Sequence, residues 1–194
     1  MLLLSQIRHA YESQQEQLLQ KNLGIPRQLI RPPGIGTHIE VITGVRRCGK
    51  STLLKQIADK TNEKYIYFNF EDSRVFGFEV NDFPKLLQVS VPDAHTFFFD
   101  EIQNVPGWEI FIRNLHDQKK KVFITGSNAS LLSRELGTRL TGRYLNSELF
   151  PFSYREFLLF KGLNSSVEAF QQYLEKGGFP EFLEQESVEI LQQL

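Results

Sequence analysis

Apolar residues recur along this 194-residue chain with two different periods. Between residues 2 and 22 they return every three or four positions on a Gln- and Glu-rich background, which predicts an amphipathic helix packed on the main domain or on a partner. From residue 38 onward, short apolar runs alternate with segments of helical period. The run TFFF at 96–99 is typical of strands that are covered on both faces, as in parallel sheets.

The alternation continues through five strand candidates and the helix candidates between them. The predicted strands span residues 38–43, 65–70, 96–99, 121–125 and 144–150. The predicted helices span residues 51–60, 83–89, 108–116 and 130–141. This order predicts a three-layer α/β domain with a parallel five-stranded sheet.

The pattern changes after residue 151. Helices are predicted at 154–160 and 167–176, with a break at the glycine- and proline-rich residues 177–180. A last helical pattern runs from 187 to 194 and ends without a capping residue. We therefore expect this chain to be a piece of a longer protein.

Composition and charge exclude several classes of function. The 22 Lys and Arg residues nearly balance the 23 Asp and Glu residues, and the net charge of -1 gives no overall attraction to nucleic acid or to an anionic membrane. The single cysteine, Cys48, excludes a disulfide framework and a multi-cysteine metal site. The apolar runs are far shorter than the about 20 residues of a membrane-spanning helix, and no signal peptide is evident. We expect a cytoplasmic protein without a membrane partner.

A glycine-rich segment after the first predicted strand carries the strongest chemical signal. Residues 44–51 read GVRRCGKS and match the phosphate-loop pattern G-x-x-x-x-G-K-[ST]. The glycines let backbone N–H groups approach phosphate oxygens, Lys50 would reach the β- and γ-phosphates, and the Ser51 hydroxyl would bind Mg²⁺. The start of the next helix adds free N–H groups. The predicted nucleotide-binding residues are Gly44, Val45, Arg46, Arg47, Cys48, Gly49, Lys50, Ser51 and Thr52.

Three spacer residues of this loop, whose identity the motif does not specify, are candidates for additional roles. Cys48 lies at the N-terminal end of the predicted helix, a position that can lower a thiol pKa, so we expect sensitivity to alkylation. Arg46 and Arg47 either touch phosphate or stay solvated, and we favour a role in shaping the loop. A catalytic role for Cys48 is not expected, because a spacer of Ser-like size is sufficient there.

A phosphate loop requires an acidic residue at the end of another apolar strand. The segment FFFDE supplies Asp100 and Glu101. Asp100 would hold the hydration shell of Mg²⁺, so that Ser51 and Asp100 are the predicted metal residues. Glu101 stands where a general base could orient and deprotonate an attacking water.

The chain also resembles a known family. The resemblance runs from about residue 25 to 183 and is carried by GVRRCGKS, FFFDEIQNVPGWE, FITGSNASLLS, LTGRYLNSELFPFSYREFL and YLEKGGFPEFL. These segments resemble the prokaryotic AAA+-type P-loop ATPases of the archaeal-ATPase-like group, whose ATPase core precedes a C-terminal domain of unknown function. The resemblance implies an AAA+ fold with strand order 5-1-4-3-2. It also implies a helical lid. Together with the periodicity of the chain, it predicts three segments: an N-terminal helix and linker (1–36), the ATPase core (37–153) and a truncated helical lid (154–194).

Further site residues follow from the resemblance by position. Ser127 and Asn128 match the polar sensor position after the fourth strand, although the same residues suit a turn or a helix N-cap. Arg139 and Arg143 match the arginine that reaches the γ-phosphate of a neighbouring subunit, which implies a homo-oligomer. The alternative is an arginine favoured by a helix C-terminus. Arg27 matches the segment before the first strand and would lie near the adenine.

The combined expectation is an ATPase domain that binds ATP and Mg²⁺. Its predicted catalytic residues are Glu101, Lys50, Asn128 and Arg143. ATP is preferred over GTP from the resemblance alone. The domain would act as a motor or switch for an attached domain, or for a protein or DNA client reached through the missing C-terminal part. The alternative is a nucleotide-dependent regulatory or interaction module with little or no turnover.

Overall fold

The computed structural model describes residues 1–20, 23–27, 38–127, 140 and 142–185, and every structural statement below concerns these residues. The helices are α1 (Leu4–Gln20), α2 (Lys50–Asp59), α3 (Phe83–Val89), α4 (Trp108–Asp117), α5 (Tyr154–Lys161), α6 (Val167–Lys176) and α7 (Pro180–Gln185). The strands are β1 (Ile39–Thr43), β2 (Tyr65–Asn69), β3 (Thr96–Asp100), β4 (Lys121–Thr125) and β5 (Tyr144–Glu148). Single 3-10 turns span Ser73–Val75, Val80–Asp82 and Ile102–Asn104. The helices predicted at 130–141 and 187–194 lie outside the described residues.

The five strands form one parallel sheet in the order β2-β3-β4-β1-β5. This confirms the predicted parallel α/β fold and the strand order that the family resemblance implies. In the register of the sheet, Asn69 lies opposite Asp100 and Glu40 lies opposite Phe123. Because all strands run the same way, their carboxyl ends meet at one edge of the sheet, where ligands bind in folds of this class.

The phenylalanine run of β3 explains why the sheet is covered on both faces. Successive side chains of a strand point to opposite faces. Phe98 packs with Tyr67 and Phe123 in the layer that also contains the buried face of α2, whereas Phe97 and Phe99 belong to the cluster formed with α1, α3 and α4. Full burial of a Phe side chain is worth roughly 1.5–3 kcal/mol, so this run anchors both hydrophobic layers.

Helix α1 packs on the main domain, which is one of the two possibilities that its sequence left open; the other was a partner protein. Ile7 and Ala10 are fully buried in the main core. The Gln14 side chain accepts a hydrogen bond from the Asn69 N–H (2.9 Å) and donates one to the Asn69 carbonyl (3.1 Å). Gln15 donates to the Tyr67 carbonyl at 3.0 Å. The two glutamines thus satisfy backbone groups on the open edge of β2, which protects this edge from pairing with another chain.

The C-terminal helices form a small cluster of their own. Helix α5 begins at a capping box, in which the Ser153 N–H donates to Glu156 (2.8 Å) and the Glu156 N–H donates to the Ser153 hydroxyl (3.3 Å). Phe157 and Leu183 are buried together between α5 and α7. Helix α7 was not predicted from the sequence: it begins at Pro180, the last residue of the predicted break, where a proline is compatible with a first helical turn.

Candidate active site

The glycine-rich loop lies between β1 and α2 at the carboxyl edge of the sheet. Helix α2 begins at Lys50, and Gly49 before it has a left-handed backbone with φ 99°. A Cβ atom on Gly49 would lie 2.5 Å from the guanidinium of Arg27, and one on Gly44 would overlap the carbonyl oxygen of Leu149. Only glycine therefore fits at the two glycine positions of the motif without a rearrangement.

The Lys50 side chain is folded into the mouth of this loop. It is only 4% exposed, and its ammonium group donates to the carbonyls of Val45 (3.1 Å) and Gly44 (3.3 Å). The same nitrogen lies 3.7 Å from Oε1 of Glu101. The carbonyls belong to the loop after β1, Lys50 begins α2, and Glu101 follows β3. The sheet therefore brings the glycine-rich loop and the acidic segment together.

A cavity of about 910 Å³ opens in front of the loop. Its size falls within the range of small-ligand sites. Polar residues of the loop and of the strand ends form part of its wall: Lys50, Ser51, Thr52, Glu71, Glu101 and Ser127. Apolar residues of the linker and of the C-terminal helices form another part: Ile25, Phe152, Phe160 and Pro180.

Asp100 is the last residue of β3 and lies fully buried behind this wall. Its carboxylate accepts a hydrogen bond from the Tyr67 hydroxyl at 3.0 Å and a second one from the Thr125 hydroxyl. Burial, and next the charge of Asp100, raise the pKa of Tyr67 well above its ordinary value, so the phenol stays protonated and donates. The acid is held by two strands that flank β3 in the sheet.

Glu101 follows directly and takes an unusual backbone conformation. Its φ and ψ of 52° and 46° are left-handed, which non-glycine residues rarely adopt. Its N–H donates to the Thr125 hydroxyl at 3.0 Å, and its Oε2 accepts from the Gln103 side-chain amide at 2.5 Å. This backbone conformation places the Glu101 carboxylate beside Lys50 in the cavity wall, whereas Asp100 is buried behind that wall.

The sequence reasoning missed three residues of this site, namely Tyr67, Thr125 and Gln103. The first two are polar residues on predicted strands of a parallel sheet, next to the strand that carries the acids. Their positions could have been used to predict them, because the carboxyl ends of parallel strands lie at one edge of the sheet. Gln103 gave only the weak signal of lying two positions after Glu101.

A sequence model of the AAA domain family matches residues 36–158 of the chain. The chain belongs to the AAA domain family. Membership supports a nucleotide-binding, ATPase-like function and agrees with the resemblance to AAA+ ATPases.

Relatives of this AAA domain are longer proteins. The uncharacterized protein MJ1544 of Methanocaldococcus jannaschii is 40% identical over 161 residues, which cover 76% of this chain and 36% of that protein. An uncharacterized protein of Haemophilus influenzae is 39% identical over 157 residues, which cover 73% of this chain and 39% of that protein. The chain thus spans less than two fifths of the length of these curated relatives.

A solved structure has the same fold. The structure of AMPPCP-bound DnaA from Aquifex aeolicus matches this AAA domain with a TM-score of 0.53 and 17% identity, over 99% of this chain and 62% of that chain. At this identity the match shows the fold alone. Within the described residues, no helix of the AAA domain is both long and apolar enough to cross a bilayer.

Arg27 lies in the wall of the cavity, but its guanidinium group is fully engaged with the protein. It pairs with Glu156 at 2.9 Å and donates to the carbonyls of Cys48 and Phe150, the latter at 2.7 Å. It also lies over the ring of Phe152, 4.8 Å from the centroid. Arg27 therefore joins the linker, the glycine-rich loop and the start of α5.

The prediction that the Cys48 thiol has a lowered pKa is wrong. Burial raises the pKa of Cys48, and this effect outweighs the opposing charges of Lys50 and Arg27. The side chain is fully buried, and its thiol donates to the Leu149 carbonyl at 3.3 Å. The local sequence places the residue at a helix start, but the tertiary structure removes it from solvent.

The two loop arginines pair with acidic residues at the rim of the cavity. Arg46 lies 3.0 Å from Glu71, which follows β2, and both side chains are exposed. Arg47 lies 3.4 Å from Glu181 of α7. Arg47 thus connects the loop with the last described helix.

Arg143 lies at the other edge of the sheet. Its carbonyl accepts a hydrogen bond from the Ile39 N–H at 2.8 Å, and its guanidinium lies 3.8 Å from Asp117 at the end of α4. A strand of five residues spans about 16 Å, which separates Arg143 from the loop of its own chain. Ser127 follows β4 and lines the cavity, whereas Asn128 and Arg139 lie outside the described residues.

Proposed function

We propose that this AAA domain binds Mg-ATP in the cavity and hydrolyses the γ-phosphate. The observation that carries the proposal is the meeting of the Lys50 ammonium and the Glu101 carboxylate, 3.7 Å apart, at the mouth of a glycine-rich loop. A cation for the phosphates and an acid for the attacking water are the two groups that phosphoryl transfer to water needs. Membership of the AAA domain family supports the same function.

The phosphates would lie on the N–H groups of residues 44–51. Lys50 would exchange the carbonyls of Gly44 and Val45 for phosphate oxygens, which carry full negative charge and attract the ammonium more strongly. Because Lys50 would move away from Glu101 at the same time, Oε1 of the carboxylate would become free. This exchange couples phosphate binding to the release of the acid.

Glu101 would then accept a proton from a water molecule. The water oxygen forms the new bond to the γ-phosphorus, the bond from phosphorus to the β–γ bridging oxygen breaks, and ADP leaves with that electron pair. Lys50 would stabilise the negative charge that spreads over the phosphoryl oxygens. Asn128 and Arg143 belong to the same proposal, Asn128 at the sensor position and Arg143 toward the nucleotide of a neighbouring copy in a homo-oligomer.

The residues at the start of α2 and the end of β3 are chemically suited to Mg²⁺. Ser51 lines the cavity with a hydroxyl, and Asp100 is an oxygen donor of the kind that Mg²⁺ prefers. Both oxygens of Asp100 accept hydrogen bonds from hydroxyl groups, so this residue would act through water. When bound, the ion would neutralise charge on the β- and γ-phosphate oxygens.

The choice of ATP rests on the resemblance to AAA+ ATPases. The similarly folded DnaA structure is bound to AMPPCP. The apolar part of the cavity wall, with Ile25, Phe152 and Phe160, would face the base. A protein or a DNA client would be what the domain drives or controls, since the curated relatives extend well beyond the part that matches this chain.

Titration calorimetry tests the binding part of the proposal. We expect micromolar binding of Mg-ATP, weaker binding of Mg-GTP, and complete loss of both in Lys50→Ala. Lys60→Ala, which removes an exposed lysine just after α2, is the matched control and should bind as the wild type does. Unchanged affinity in Lys50→Ala would contradict the assignment of the phosphate site.

Phosphate release tests the hydrolysis part. Glu101→Gln should keep the affinity for Mg-ATP and lose turnover by about 100-fold or more, as expected for removal of a general base. Wild-type turnover that rises with protein concentration would support an arginine contributed by a neighbouring copy. Tight binding with no turnover at any concentration would favour the alternative, a regulatory module that uses nucleotide without consuming it.

A further inference from the structure

We propose that Gln103 is a positioning residue that fixes the Glu101 carboxylate for its role toward the attacking water. The inference rests on the proposed function and adds a residue to it. Gln103 lies in the 3-10 turn Ile102–Asn104, which directly follows Glu101. Its side chain contacts the Glu101 carboxylate and lines the same cavity.

The two oxygens of the Glu101 carboxylate have separate partners. Oε2 accepts the side-chain amide of Gln103 at 2.5 Å, and Oε1 lies 3.7 Å from the Lys50 ammonium. When Lys50 turns to a phosphate, Oε1 loses its partner while Oε2 keeps its own. Gln103 therefore decides which carboxylate oxygen becomes available to the water and holds the group in place during the exchange.

The backbone supports the same reading of this pair. Glu101 has a left-handed backbone conformation, which is unfavourable for residues other than glycine. The Thr125 hydroxyl holds it by accepting the Glu101 N–H at 3.0 Å. Residues kept in such conformations cluster at functional sites, where the surrounding structure enforces them.

The side-chain amide of Gln103 is only partly hydrogen-bonded. Its side-chain oxygen Oε1 is buried and has no hydrogen-bond partner within the described part of the chain. A buried acceptor without a partner destabilises a fold, and an apolar side chain of the same length would avoid this loss. The N–H group of the same amide, in contrast, has the Glu101 carboxylate as its partner.

The test replaces the amide by an apolar side chain of similar length in Gln103→Met. The control, Gln118→Met, makes the same replacement at an exposed position after α4. We expect Gln103→Met to lower kcat by about 10–100-fold, the loss typical of a misplaced catalytic group, while calorimetric affinity for Mg-ATP changes less than about threefold. The melting temperature should change little, because the unpaired acceptor and the hydrogen bond to Glu101 are removed together. The control should match the wild type in all three measurements.

A double variant separates positioning from general structural damage. If Gln103 acts only through Glu101, adding Gln103→Met to Glu101→Gln should leave the residual single-turnover rate unchanged. A wild-type kcat in Gln103→Met, or a further loss in the double variant, would overturn the inference while leaving the proposed function intact. A wild-type protein that neither binds nor hydrolyses Mg-ATP would overturn the proposed function and this inference with it.

Discussion

The ion pair of Arg27 and Glu156 gives the sharpest prediction for stability. Both side chains are almost completely buried, with exposures of 2% and 4%, and their charged atoms are 2.9 Å apart. The pair joins the linker before β1 to the first turn of α5, 129 residues later. Replacing Arg27 by Met keeps the length of the side chain and removes the charge.

The expected loss follows from what Arg27→Met leaves behind. The Glu156 carboxylate stays buried and keeps its hydrogen bonds from Ser153, but it loses the positive charge that Arg27 supplies. The carbonyls of Cys48 and Phe150 lose a charged donor as well. Removing one partner of a buried pair typically lowers the free energy of unfolding by about 3–5 kcal/mol. For a domain of this size, that loss corresponds to a fall of about 6–20 °C in the melting temperature.

Urea unfolding followed by circular dichroism measures this loss, with Arg46→Met as the matched control. Arg46 and Glu71 form a pair of similar length at the surface, with exposures of 72% and 55%, so the control should lose less than about 1 kcal/mol. Adding Glu156→Leu to Arg27→Met should lose about 0.5–3 kcal/mol less than the sum of the two single losses. A loss below about 1 kcal/mol in Arg27→Met would refute the reasoning, because the buried charge would then be accommodated in another way.

Two further predictions concern the loop thiol and an acidic side chain near α1. Because burial raises the pKa of Cys48, native protein should resist iodoacetamide and react only in urea, as mass spectrometry can show; rapid native labelling would mean that the thiol is accessible. A hydrogen bond from Arg74 is the main cause that lowers the pKa of Asp72 to about 2. A carboxyl with a lowered folded-state pKa contributes stability above its unfolded value, near 3.9, and loses it as pH falls through about 2. The difference in unfolding free energy between wild type and Asp72→Asn should therefore be about 2 kcal/mol at pH 5 and approach zero near pH 2. A difference that stays constant with pH would contradict this assignment.

The sequence alone predicted most of the fold, because its signals are local. Apolar runs and helical periods give the strands and helices to within two residues in the described core, as for the strand at Lys121–Thr125. The order of elements then leaves few arrangements for a parallel sheet. The positions of Gly44, Gly49 and Lys50 were also readable, since a phosphate loop is a contiguous motif whose backbone conformation depends on its own residues.

The tertiary structure decided how the candidate site is held together. Thr125 reaches Asp100 across 25 positions, Tyr67 reaches it across 33, and Arg27 reaches Glu156 across 129. No local pattern encodes such pairs, because they depend on the register between strands and on the packing of the C-terminal helices. The sign of the pKa shift at Cys48 was decided in the same way: its place in the motif predicts a lower value, and burial, which depends on the whole fold, raises it.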